Sequence, residues 1–155
     1  MSHTSTIKSV KILDLQALRQ ACEELKRTQG VDLTLIENHV PRAYSQGQLK
    51  AADLCIQLND GEYDVGLYKT TDGSYEARCD FYTGDVEKQL GANREQLSLH
   101  TNLTGEERTQ AQLGKLYQFY SVKAAENAII RKGGSCQRQT QQDGTIQLVM
   151  VMQAA

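Results

Sequence analysis

The stretch NDGEYDVGLYKTTDGSYEARCDFY, residues 59–82, reads either as an acidic ligand site or as strands joined by tight turns. Tyr63, Val65 and Leu67 alternate with polar or small residues, and Tyr75, Ala77, Cys79 and Phe81 do the same, which is the two-residue period of a strand. Asp60-Gly61 precedes the first run, Asp72-Gly73 precedes the second, and Asp143-Gly144 separates SCQRQTQQ from TIQLVMVM. Asp-Gly suits the type I′ hairpin turn, whose two central residues both take positive φ. An EF-hand loop needs acids at alternate positions followed by a glycine, and this run lacks that spacing. The stretch is therefore read as scaffold, with hairpin turns at Gly61, Gly73 and Gly144.

Upstream, AADLCIQLN places Ala52, Leu54, Ile56 and Leu58 on one face and Asp53, Cys55, Gln57 and Asn59 on the other. VDLTLI alternates Val31, Leu33 and Leu35, and Val10 with Ile12 marks a short strand before them, with Ile7 out of phase. Between these strands Leu15, Leu18, Cys22 and Leu25 recur at helical spacing, with Asp14 as the N-cap and Gly30 as the stop. Pro41 opens a polar loop through Gly47. Downstream, a short helix is expected around Val86–Leu90 inside a polar excursion at about 84–105. Thr104 and Glu107 form a capping box before a long helix. Its stripe is Leu113, Leu116, Tyr117, Tyr120, Ala124 and Ala128, and Gly133-Gly134 ends it. The whole chain, 1–155, is expected to be a single α+β domain, β-α-β-β-β-β-α-α-β-β. It would hold an antiparallel sheet of about six to seven strands with two main helices on one face.

With 17 basic and 19 acidic residues the formal net charge is −2, which gives no support for a nucleic-acid or anionic-membrane partner. Arg131-Lys132, with Arg138 nearby, reads as the cationic end of a helix. No apolar run reaches the ~20 residues of a membrane span, and MSHTSTIKSVKI lacks a signal-peptide core. The four cysteines, Cys22, Cys55, Cys79 and Cys136, and the three histidines are scattered, so no metal site or cofactor is expected and the thiols are read as reduced. A cytoplasmic location follows as the expectation. G-x-S-x-G, Walker A and G-x-G-x-x-G motifs are all absent, and KGGSC follows a helix rather than preceding one.

If Leu54, Val65, Leu67, Ala77 and Phe81 face the helices, the other face shows Asp53, Gln57, Asp64, Tyr68, Glu76, Arg78 and Asp80. That face is either solvated or a polar binding surface, and Asp64, Tyr68, Glu76, Arg78 and Asp80 are its candidate binding residues. Tyr117 and Tyr120 read as core-rim aromatics and join the candidate binding positions through their hydroxyls. The leading functional reading is a non-enzymatic binding or adaptor domain that presents a sheet face or edge to a protein partner or to a second copy. It rests on TIQLVMVM, a closing strand apolar on both faces near its end. The alternative is a small-ligand binder or enzyme using the carboxylates of the open face. RNA binding through sheet-borne tyrosines would need basic neighbours that the chain mostly lacks.

The opening MSHTSTIK, the helix DLQALRQACEEL, the segments ADLCI, DGEYDVG and YEARCDF, and the closing LYQFY and DGTIQLVM occur in this order over most of the chain. Together they resemble the hypothetical chloroplast open-reading-frame thirty-five family of plastids, cyanobacteria and phages, a domain of unknown function. Thr4 stands where that family carries an aromatic, the chain has no tryptophan, and residues 84–113 look longer and more polar, so the resemblance is to a divergent member. It implies no established activity. It makes His3, Ser5 and Lys8 candidate binding positions through the opening motif, with Tyr63, Asp64 and Gly66 as the matching Tyr-Asp-x-Gly. A host cytoplasm or a plastid stroma is the location it implies.

Overall fold

Asp14 starts the first helix: its Oδ1 accepts a hydrogen bond from the Ala17 N–H at 3.1 Å, satisfying one of the donors that a helix start leaves open. The computed structural model describes residues 11–44, 49–91, 112–142 and 146–151. Helix α1, Leu15–Gln29, buries Leu18, Ala21, Cys22 and Leu25 and ends at Gly30, whose φ of 66° is the left-handed closure expected of glycine. Four strands follow: β1 Leu33–His39, β2 Ala52–Leu58, β3 Val65–Lys69 and β4 Tyr75–Cys79. They form one antiparallel meander in the order β1-β2-β3-β4. The register sets Leu54 opposite Leu67 and Leu67 opposite Ala77, so one face is continuously apolar.

That face carries the core. Leu54, Ile56, Leu58, Val65 and Leu67 pack in one cluster with Leu18 and Leu25 of α1 and with Leu116, Tyr117 and Tyr120 of α3, Gly114–Arg131. Each fully buried aliphatic side chain contributes about 1.5–3 kcal/mol. Helix α2, Asp85–Leu90, lies where the short helix is expected and adds Val86 and Leu90 to the cluster. The α3 stripe holds from Leu113 to Tyr120 and loosens at Ala124, and Ala128 is exposed. The capping box at Thr104 and Glu107 lies outside the described residues. Of the expected first strand, the described part is a single bridge from Ile12 to Tyr75, made by the Tyr75 N–H to the Ile12 carbonyl at 2.8 Å.

Three expectations need correction. Among the described residues the sheet has four strands, not six to seven: β5, Ser135–Thr140, and β6, Ile146–Val151, make a separate two-stranded antiparallel ladder. The tight exit from α3, with Gly133 at φ 81°, returns the chain onto α3, and Arg138 ties it there to Glu24 and Glu126 rather than to a sheet edge. Secondly, of the two described Asp-Gly turns, Gly73 has positive φ, at 85°, whereas Asp72 and Gly61 do not. Gly61 lies in a longer connection between β2 and β3, and Gly144 falls outside the described residues. Thirdly, Ala52 does not share the face of Leu54. Ala52 stays opposite His39 in an unshifted β1–β2 register next to Asn38, which takes φ 50°, and its Cβ lies 3.1 Å from where a Cβ at Gly66 would stand, on the outer side of the sheet.

Candidate functional site

The outer face of the sheet is half covered. After β1 the chain turns back as Pro41–Tyr44, with Pro41 buried, and crosses the sheet at Gly66. A Cβ at Gly66 would stand 2.6 Å from Pro41 Cγ and 2.8 Å from Tyr68 Cε2, so glycine here is a close-approach requirement, not a turn. This strap brings Arg42 to Asp64. The carboxylate, fully buried, accepts from the Arg42 backbone N–H at 2.8 Å and from the guanidinium at Nε (3.1 Å) and Nη2 (2.8 Å).

The pair also completes the sheet. The β2–β3 ladder stops at Ile56 and Val65, so no β3 residue pairs with Leu58, whose carbonyl also accepts from the Gly61 N–H at 3.2 Å. Asp64 Oδ1 accepts from the Leu58 N–H at 3.2 Å and Arg42 Nη2 donates to the Leu58 carbonyl at 2.7 Å, so an ion pair takes the place of a missing rung. Asp64 is thus a structural group, removed from the solvated face on which its alternation placed it.

Asp80 is likewise engaged: its Oδ2 accepts from the Tyr44 N–H and its Oδ1 from the Tyr82 N–H, each at 2.9 Å. The two tyrosine rings meet with centroids 5.0 Å apart and planes tilted by 43°, and both remain largely exposed. Among the described residues, Tyr68, Glu76 and Arg78 form the half of the face that the strap does not cover. Arg78 lies 5.0 Å over the Tyr68 ring and 3.2 Å from Glu76, while the Tyr68 hydroxyl donates to the Lys50 carbonyl at 2.6 Å. Burial pushes that hydroxyl's pKa up. Beyond the Glu76 end opens a polar cleft of about 330 Å³, lined by Lys11, Thr70, Asp72, Ser74, Glu76 and Tyr117 among others. Asp72 dominates it, held well below the ordinary carboxylate range first by Lys11 at 2.8 Å and then by the Ser74 and Thr70 hydroxyls.

Tyr117 and Tyr120 belong to the core cluster. The Tyr120 hydroxyl accepts from the Leu13 and Asp14 N–H groups at 2.9 and 3.1 Å, pinning the start of α1 to α3. His3, Ser5 and Lys8 lie outside the described residues. Burial pushes the thiols of Cys22, Cys55 and Cys79 up to about 12, so they are held as neutral packing groups. Among the described residues no group of three or more His, Cys, Asp or Glu stands together as a metal site, and no helix is long and apolar enough to cross a membrane.

Comparison with family models, curated proteins and solved structures finds no match. The chemistry must be judged from the residues themselves. Of the candidate residues, Tyr68, Glu76 and Arg78 come together. Asp64 and Asp80 are bound by the strap, and the two α3 tyrosines are in the core. Sequence reasoning missed the strap, the Tyr44–Tyr82 pair and a charged cluster under the hairpin, in which Arg138 bridges Glu24 of α1 and Glu126 of α3 with Lys123 3.6 Å from Glu126. The available signal for the strap was an acid, Asp64, set between the apolar Tyr63 and Val65, which calls for a distant cation.

Proposed function

We propose that the chain is a protein-binding domain that engages a partner, or a second copy of itself, through the β5–β6 hairpin. One observation carries this reading. β6 is apolar on both faces at its end, yet among the described residues it stands in a two-stranded ladder instead of the centre of the sheet. Cys136, opposite Met150, and Arg138, opposite Leu148, turn toward Glu126 of α3, so Leu148 and Met150 share the helix side and Val149 and Val151 point away from it. Met150 is 58% and Val151 55% exposed. A strand with this pattern is ordinarily covered on both sides, and an added strand at its edge would bring backbone hydrogen bonds together with that cover. The absence of a disulfide among the four cysteines fits the reducing cytoplasm proposed for the chain. The family resemblance remains part of this proposal as divergent membership and attaches no activity to it.

Light scattering over a wide concentration range, combined with pull-downs on the tagged chain, tests the reading. The wild type should self-associate or retain a partner, and the Met150→Lys/Val151→Lys variant should lose that association while melting as the wild type does, since both side chains are exposed. A strict monomer that retains no protein, or a variant that associates unchanged, overturns it.

A further inference from the structure

Tyr44 and Tyr82 are 67% and 76% exposed, and their pairing is built rather than incidental. They lie far apart in sequence, and one carboxylate, Asp80, fixes both by taking a backbone N–H from each. The two backbones are thereby anchored side by side and the rings meet at the surface, presenting paired aromatic faces of the kind that serve as recognition anchors. The surroundings select the sign of the ligand. Tyr63, buried, feels Asp80, Glu62, Tyr44 and Tyr82 through space; burial first and then these groups push its hydroxyl's pKa up. Glu62 is exposed, and the cation of the strap, Arg42, is committed to buried Asp64. Arg42 offsets Asp64, and Arg78 on the same face is engaged by Glu76 at 3.2 Å. Asp80, which bonds both tyrosine backbones, and exposed Glu62 are therefore the uncompensated charges around Tyr63, and the quadrupole of the ring faces is also negative toward an approaching charge.

We infer that the Tyr44–Tyr82 pair is a binding site for a cationic side chain, an arginine or lysine carried on a basic segment of another protein. The rings supply the cation–π faces, Glu62 and Asp80 supply the attractive field, and Asp80 also acts as the positioning residue for both rings. This surface does not involve β6 and does not rest on the hairpin reading.

The test titrates the full chain with a labelled tetra-arginine peptide at low salt, with tetraglutamate as the control. The arginine peptide should bind, weakening with added salt, and the glutamate peptide should not. Tyr44→Leu and Tyr82→Leu should each weaken binding by about threefold, the value of one exposed cation–π contact. Tyr44→Phe and Tyr82→Phe, which keep the ring face, should stay close to wild type. Glu62→Gln should weaken binding and flatten its salt dependence. Because both rings are exposed, melting temperatures should not move, and the Met150→Lys/Val151→Lys variant should bind the peptide as the wild type does. Absence of binding overturns the inference. So does equal binding of the two peptides, or leucine variants that match wild type, since attraction to the chain's general negative charge would then be sufficient.

Discussion

Removing the Arg42 side chain is the sharpest test of how the outer face is built. Arg42→Ala deletes the Nε and Nη2 hydrogen bonds to Asp64 and the Nη2 bond to the Leu58 carbonyl. It leaves the Asp64 carboxylate in place, still accepting from the Arg42 and Leu58 backbone N–H groups. Stranding one member of a fully buried ion pair typically costs about 3–5 kcal/mol. Here the arginine is 43% exposed at its side chain and two backbone donors persist, which brings the expectation down to roughly 2–4 kcal/mol. For a chain of this size that corresponds to a fall in Tm of roughly 4–16 °C. Arg42→Lys should recover only part of the loss, because an ammonium cannot serve the two carboxylate oxygens and the Leu58 carbonyl at once.

Thermal unfolding followed by far-ultraviolet circular dichroism measures these values. The double variant Arg42→Ala/Asp64→Asn closes the cycle, and its loss should be well short of the sum of the two single losses. If Arg42→Ala melts within a degree of wild type, or if the two losses add, the ion pair is not the missing rung of the β2–β3 ladder.

Four further outcomes are expected. Gly66→Ala should push Pro41 off the sheet, costing about 1–3 kcal/mol as overpacking, and in combination with Arg42→Ala should lose little more, by equilibrium urea unfolding, because the strap is already released. Tyr120→Phe should cost about 1 kcal/mol in the same assay, since two part-buried N–H donors at Leu13 and Asp14 lose their acceptor. Gly73→Val should lower Tm through strain at positive φ, about 1–3 kcal/mol. Gly61→Val should lower it less, its side chain meeting the movable Gln89 amide at 3.1 Å and Asp85 Cβ at 3.3 Å. Finally, Glu24 is held below its ordinary value of 4.5, first by the hydrogen bond from Arg138. A depressed carboxylate gives stability that is full above that value and is lost as pH falls through the lower folded one. Tm should therefore decline on acidification below about pH 4.5, and Glu24→Gln should be less stable at pH 7 and show a shallower decline.

The elements that were legible in sequence are those whose signals are local and agree with one another. In α1 the Asp14 cap, the Leu18-Cys22-Leu25 stripe and the Gly30 stop all fall within one short run, and the structure repeats each of them. The positions of β2, β3 and β4 follow in the same way from alternation, although in β2 Ala52 leaves the expected face and Cys55 is buried on the other. The strap and the cluster under the hairpin did not, because their partners are remote: Arg42 meets Asp64 across 22 positions and Arg138 meets Glu24 across 114, and neither pairing leaves a periodic trace. The placement of the closing hairpin was hidden for another reason. An alternating strand has the same pattern whether it joins the main sheet or a two-stranded ladder, so period alone does not say which edge it meets. The same limit put Asp64 and Asp80 on an open face, since alternation gives a side but not what the chain lays over it.

The tripeptide Asp64-Val65-Gly66 therefore has a meaning that neither composition nor periodicity supplies. Val65 faces the core and keeps the strand in register with Ile56 and Cys79. Asp64 reaches back to the Leu58 N–H where the β2–β3 connection is too long for a ladder bond to form. Its buried charge requires a cation, and the cation arrives on a strap that must cross the strand two residues later. Only a residue without a Cβ permits that crossing, since Pro41 Cγ would lie 2.6 Å from one. Acid and glycine are thus two halves of one device, with Pro41 and Arg42 as its counterpart. The same strap then carries Tyr44 to Asp80 and Tyr82, so the residues that close the sheet are also those that hold an aromatic pair open to solvent.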